Sequence, residues 1–168
     1  EMEATKKMVA DYFEEIPRGV TVNFEKIEEK PITSPKTAEA FDVNIQIPAL
    51  FTAYRIPEKT SRDSKVLDMI SSYLSDGNSS KLYRKLVDEK KMSLQVAAFN
   101  MSMEDYGLYV ILSLPLGETT LTSISKEIDE EVKKIQSDLI SEKDFEKLLN
   151  KFESDFVDSN GSVEGIAN

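Results

Sequence analysis

Two short runs near the middle of this chain constrain its fold most. In residues 92–98, Met92, Leu94, Val96 and Ala98 alternate with Ser93, Gln95 and Ala97, and in residues 108–114 Leu108, Val110, Leu112 and Leu114 alternate again. A period of two sorts side chains onto opposite faces of a strand. The stretch between them turns near residues 104–107 and ends in Gly107, so the two strands are expected to pair antiparallel. The rest of the chain must pack around that pair.

The flanking segments carry helical spacing. Met2, Met8, Val9, Tyr12, Phe13 and Ile16 mark a first helix closed by Pro17-Arg18-Gly19. Residues 20–29 alternate Val20, Val22 and Phe24 with polar neighbours before Pro31 and Pro35, which suits an extended connector or an edge strand. Residues 37–47 and 49–56 read as two strands, and the second, almost wholly apolar, is expected at the centre of the sheet. Val66, Leu67, Ile70, Tyr73 and Leu74 stripe a helix over residues 64–74 that ends at Asp76-Gly77. A second helix follows over residues 79–89, with Ser79 or Asn78 as its N-cap. Two periodic helices close the chain, residues 119–139 and residues 142–157, the latter opened by Ser141 with Asp144 in capping-box position.

The order of helix, strands, two helices, two strands, two helices is not a βαβ alternation. It predicts an α+β, two-layer domain with a largely antiparallel sheet backed by helices. A length of 168 residues suits a single domain, 1–168, that can bury roughly 70% of its unfolded surface.

Composition removes whole classes of function. The chain has no histidine and no cysteine, which excludes Ser-His-Asp triads, HExxH and HxxEH zinc sites, and thiolate chemistry from its own residues. A net charge of −10 sets nucleic acid aside, because phosphate binding needs clustered Lys and Arg. The longest apolar runs, residues 49–53 and 107–116, fall short of the roughly 20 residues of a membrane span. No charged-then-apolar signal peptide opens the chain, and bacterial periplasm and cytoplasm both stay open. A helix that begins at Glu1 makes the chain read as a fragment of a larger, multi-domain polypeptide.

The remaining candidates each have a plainer reading. Glu14-Glu15, Glu28-Glu29 and Asp129-Glu130-Glu131 could share acid and base roles, but read as solvated acidic faces. The tract Asp158 to Glu164 places neither glycine nor glutamate where a calcium loop needs them, and reads as a helix end and turn. Gly77-Asn78-Ser79-Ser80-Lys81 lacks the second glycine and the order of a phosphate loop, and reads as a helix-to-helix turn. Asn78, Asn100 and Asn160 begin N-x-S/T triplets, which matter only on a eukaryotic secretory route. Tyr12, Phe13, Tyr54, Tyr73, Tyr83, Phe99, Tyr106 and Tyr109 read mostly as core, with one or two left for a peptide groove. An open strand edge would hold an extended peptide through main-chain hydrogen bonds.

The stretch Leu74-Ser-Asp-Gly77-Asn-Ser-Ser80-Lys81-Leu82-Tyr83-Arg-Lys-Leu86-Val87-Asp-Glu89-Lys90 resembles the G-x-S-S-R-L-y-x-x-L-x-x-E-k segment of the pitrilysin/insulinase zinc peptidases. Asp11-Tyr12-Phe13-Glu-Glu-Ile16-Pro17, Ala53-Tyr54-Arg55-Ile56-Pro57 and the helix after Ser141 resemble further segments of that family. The resemblance spans essentially the whole chain and implies a metallopeptidase-like, processing-peptidase-like domain. Family members enclose peptides in a chamber between two halves, and hold zinc in a preceding domain through an HxxEH helix and a downstream glutamate.

The opposite half of such enzymes contributes an arginine and a tyrosine to the substrate. Here those two places hold Val87 and Leu94, which read as core positions and cannot donate hydrogen bonds to an oxyanion. Lys81 stands where the family has arginine. The resemblance thus implies the second, non-zinc domain of the zinc-bearing half, with no catalytic, cofactor-binding or metal residue in this chain and with zinc in the parent. Its implied role is to form the substrate chamber, beside the other domains of the parent or a partner subunit and in contact with peptide substrate. The alternative is a non-peptidase scaffold of the same fold that has lost the metal site.

Overall fold

The computed structural model describes residues 1–25 and 28–167. The chain divides into two compact units, Glu1–Thr33 and Ser34–Asn168. The first holds helix α1, Met2–Phe13, in which Met8, Tyr12 and Phe13 expose the expected apolar stripe. No strand forms among the described residues of the expected connector, of which residues 26 and 27 lie outside those described.

The second unit is built on three antiparallel strands, β1 (Leu50–Pro57), β2 (Ser93–Met101) and β3 (Tyr106–Pro115), in the order β1-β3-β2. β3 is central because it is the strand that both neighbours can reach: β2 through the tight connection 102–105, and β1 through the register Thr52↔Ile111 and Tyr54↔Tyr109. The expectation that residues 49–56 form the central strand is therefore corrected, since β1 lies at an edge. The strand expected over residues 37–47 is absent. Asp42 breaks it, its carboxylate accepting from Asn44 N–H at 2.8 Å and its carbonyl from Ile45 N–H at 3.1 Å, a local turn that competes with extended backbone.

Helices α2 (Arg62–Ser75), α3 (Leu121–Ser137) and α4 (Glu142–Ser159) and a π-helical segment, Tyr83–Glu89, follow the predicted order, with a short α5 (Val163–Ala167) after them. Their starts are chemically marked. Ser61, Thr120 and Ser141 each accept a backbone N–H three residues on, satisfying one of the unpaired donors of a helix N-terminus. The tract Asp158 to Glu164 is the end of α4 and the turn into α5.

The core lies between the helices and one face of the sheet. Leu74 of α2, Leu82 and Leu86, and Ile124 and Ile128 of α3 pack in one cluster with Ile56, Val96, Ala98, Tyr109 and Ile111. Each large aliphatic side chain buried there contributes about 1.5–3 kcal/mol of transfer free energy. This is the predicted two-layer α+β arrangement.

Candidate functional site

The segment that links α2 to β2 carries the chemistry worth describing. Gly77 sits at φ +72°, a left-handed conformation that glycine adopts without strain, and it ends α2. Ser80 closes the turn, with its N–H and its hydroxyl both donating to Gly77 O at 3.1 and 2.8 Å. Neither Ser79 nor Asn78 caps the following helix, because Ser80 O accepts its first backbone hydrogen bond, from Arg84 N–H. This is the helix-to-helix turn read from the sequence.

Lys81, just beyond it, reaches α4. Its Nζ lies 3.0 Å from Asp144 Oδ2 and 5.1 Å from the centre of the Tyr73 ring. Asp144 is itself fixed by Ser141, whose hydroxyl donates to Oδ2 at 2.9 Å. Lys81 and Ser141 hold the Asp144 carboxyl below its ordinary value. Burial lowers the Lys81 pKa, but the hydrogen bond and charge of Asp144 together with Tyr73 more than offset it and the net shift is upward.

The π-helical segment then points two lysines at α3. A π-turn closes on the fifth residue rather than the fourth, as Lys90 N–H does on Lys85 O at 3.0 Å, so Lys85 and Lys90 share one side. Glu127, Glu130, Glu131 and Lys134 occupy neighbouring positions of α3 at helical spacing. Lys85 Nζ lies 2.8 Å from Glu127, 3.0 Å from Glu131 and 3.2 Å from Glu130. Lys90 pairs with Glu127, and Lys134 with Glu131 at 2.6 Å. The contact to Glu127 Oε2 is an ion pair without hydrogen-bond alignment.

At Glu131 this cluster corrects the expectation of a solvated face, which holds for the exposed Glu130. Asp129 is exposed, but Glu131 is only 8% exposed and faces Lys85. Burial lowers the Lys85 pKa, yet its glutamates more than offset this and hold it above the lysine range. Glu127 is held below its ordinary value by Lys85 and Lys90. Glu131 is pushed up by burial and pulled down further by Lys134 and Lys85. These groups are locked in their charged forms at neutral pH, which suits a clamp between helices and not proton transfer. Beside it lies a cavity of about 260 Å³ lined by Tyr73, Lys81, Lys134 and Ile135, among others, whose two cations are already paired.

The two positions singled out by the family resemblance part company. Val87 is half-buried against the core. Leu94 is 49% exposed, because a β-bulge intervenes: Ser93 pairs with Pro115, Gln95 with Leu114, and Leu94 is the extra residue turned outward. Leu94 is therefore not the core residue that its alternation suggested. Among the aromatics Tyr109 is buried, Tyr73 and Tyr83 pack half-buried against the core, and Tyr12 and Phe13 are exposed.

With this geometry in hand, comparison with known proteins is decisive. The family described as the peptidase M16 inactive domain matches residues 1–152. The chain belongs to that family. The relative "Zinc protease PqqE" of Helicobacter pylori is 23% identical over 155 residues, 86% of this chain and 35% of the relative. The chain thus spans about a third of that protein's length. The crystal structure of a protease from Helicobacter pylori superposes with a TM-score of 0.79 at 20% identity, over 99% of this chain and 41% of the other. A peptidase M16 inactive domain from Pseudomonas fluorescens gives 0.60 at 13% identity, over 68% and 27%. These likenesses place the fold among M16 inactive domains and agree with the resemblance read from Gly77 to Lys90.

The zinc that the relative's name implies does not fit the residues of this M16 domain. It has no histidine or cysteine, and the carboxylates that converge, Glu127 and Glu131, are neutralised by lysines. Among the described residues no group of three or more Asp or Glu side chains could hold a metal ion.

Proposed function

We propose that this chain is a non-catalytic, chamber-forming domain of a longer zinc metalloendopeptidase, whose zinc and general base lie in a preceding domain. The observation that carries this reading is the M16 inactive-domain match over residues 1–152, together with a donor set that cannot ligate zinc. Apolar Val87 and Leu94 support it, since neither can supply the hydrogen bonds that stabilise a tetrahedral oxyanion. The domain then works by enclosing peptide, and the ion-pair clamp between the π-helical segment and α3 keeps its wall rigid.

Photo-crosslinking tests the enclosing role. A substrate peptide carrying a benzophenone, bound to the longer protein, is expected to label residues of this domain, and unlabelled peptide should compete. Labelling confined to other domains would refute a chamber role and leave a scaffold.

A further inference from the structure

The two edges of the sheet are built differently, and one of them is unfinished. At the β2 edge, Ser75 of α2 takes the place of a neighbouring strand: its hydroxyl accepts from Ala98 N–H at 2.7 Å and reaches Ala98 O at 3.2 Å. A bulge between Ser93 and Gln95 distorts the same strand. Both devices block further pairing.

The Ser75 contacts also fix which backbone groups of β1 point outward. Ala98 N–H and C=O face away from β3, so its opposite residue, Ile111, directs its own groups to the other side, toward β1. Ile111 pairs there with Thr52, and Tyr109 with Tyr54. Thr52 and Tyr54 therefore bond to β3, while Phe51 and Ala53 between them present N–H and C=O to the open edge. β1 has no lysine and no bulge; its one charged residue, Arg55, and its proline, Pro57, both stand at its far end, beyond Phe51 and Ala53.

The outer face beside this edge is apolar at Phe51 and Ala53, with Arg55 following on the same side. Phe51 is 65% exposed on the side away from the helices, opposite Leu112, and Ala53 lies opposite Val110. An antiparallel sheet with one face in water normally alternates apolar with polar, and two apolar faces mark a sheet covered on both. That character belongs to permanent interfaces rather than to passing ligands. The matched Helicobacter protease is longer than this chain, which covers 41% of it, so relatives carry polypeptide that could serve.

We infer that β1 is an acceptor for one more strand: an extended segment of the longer protein, with alternating apolar side chains, adds along Phe51 and Ala53. This rests on the reading of the chain as one domain of a longer peptidase. Amide hydrogen exchange by NMR tests it, on the 168-residue chain and on the longer protein. In the chain alone the Phe51 and Ala53 amides should exchange on the order of a hundredfold faster than those of Thr52 and Tyr54, and in the longer protein all four should be protected alike. Fast exchange at Phe51 and Ala53 in the longer protein overturns the inference. So does protection in the chain alone, whether at all concentrations or rising with concentration as copies pair. A longer protein that lacks peptidase activity yet protects these amides would overturn the functional reading and leave the strand acceptor standing.

Discussion

Replacing Lys85 by methionine isolates the clamp between the π-helical segment and α3. The side chain is 14% exposed and lies within 3.2 Å of three glutamates, two of which, Glu127 and Glu131, are 14% and 11% exposed. At about 3 Å and an effective dielectric of about 20, each such contact has a gross attraction of roughly 5 kcal/mol, most of it offset by desolvation. Methionine keeps the packing of the lysine stem and leaves the glutamates facing one another. Removing one partner of a buried pair costs about 3–5 kcal/mol, and Lys90 and Lys134 remain as partial counter-charges, so a loss of about 3 kcal/mol is expected. Urea unfolding followed by circular dichroism measures it. Lys85→Met combined with Glu131→Gln should recover at least about 1 kcal/mol, since it removes one of the uncompensated charges. A loss below about 1 kcal/mol for Lys85→Met would show that the cluster behaves as a solvated surface pair and would refute the reasoning.

Two further outcomes follow from the same geometry. Glu127, Glu131 and Asp144 have folded pKa values below their ordinary 4.5, 4.5 and 3.8, so their stabilisation is present above those values and is lost as pH falls through the folded ones. Tyr109, pushed by burial from 10.0 to about 12, stabilises below pH 10 and loses that contribution as pH rises toward 12; a urea midpoint that is level from about pH 5 to 9.5 and falls on both sides is expected. Gly107→Ala should lower stability by about 1–3 kcal/mol in thermal unfolding, because a Cβ there would stand 2.6 Å from Met101 O and 2.9 Å from Ile56 Cγ1, with backbone on one side unable to yield.

Periodicity found the helices and the β2–β3 pair because those elements bury one face against a single core, and burial is what writes a period into sequence. It failed where a local device overrode the pattern. Leu94 sits in phase with Val96 and Ala98 in the sequence, but the bulge after Ser93 shifts the phase and turns it outward. Residues 37–47 alternate like a strand, yet Asp42 and Asn44 form a turn there. β1 looked central because it is almost wholly apolar, a pattern that an edge with an uncovered outer face also produces.

The lysine cluster was missed for a different reason. Lys85 lies four residues after Lys81 in an ordinary-looking helix, and nothing in the spacing reveals the π-turn that brings Lys85 and Lys90 onto α3. The spacing of Glu127, Glu131 and Lys134 was the available signal, since it marks one side of α3. The segment from Gly77 to Lys90 was legible as a family signature because its glycine and serine turn and its buried Leu82 and Leu86 are fixed by packing.

The central claim, that this domain contributes neither metal nor catalytic groups, is tested most directly by a peptidase assay with added zinc on the 168-residue chain beside the longer protein. Cleavage of a fluorogenic peptide by the longer protein alone, abolished by a chelator and restored by zinc, is the predicted result. Zinc-dependent turnover by the chain on its own would contradict it.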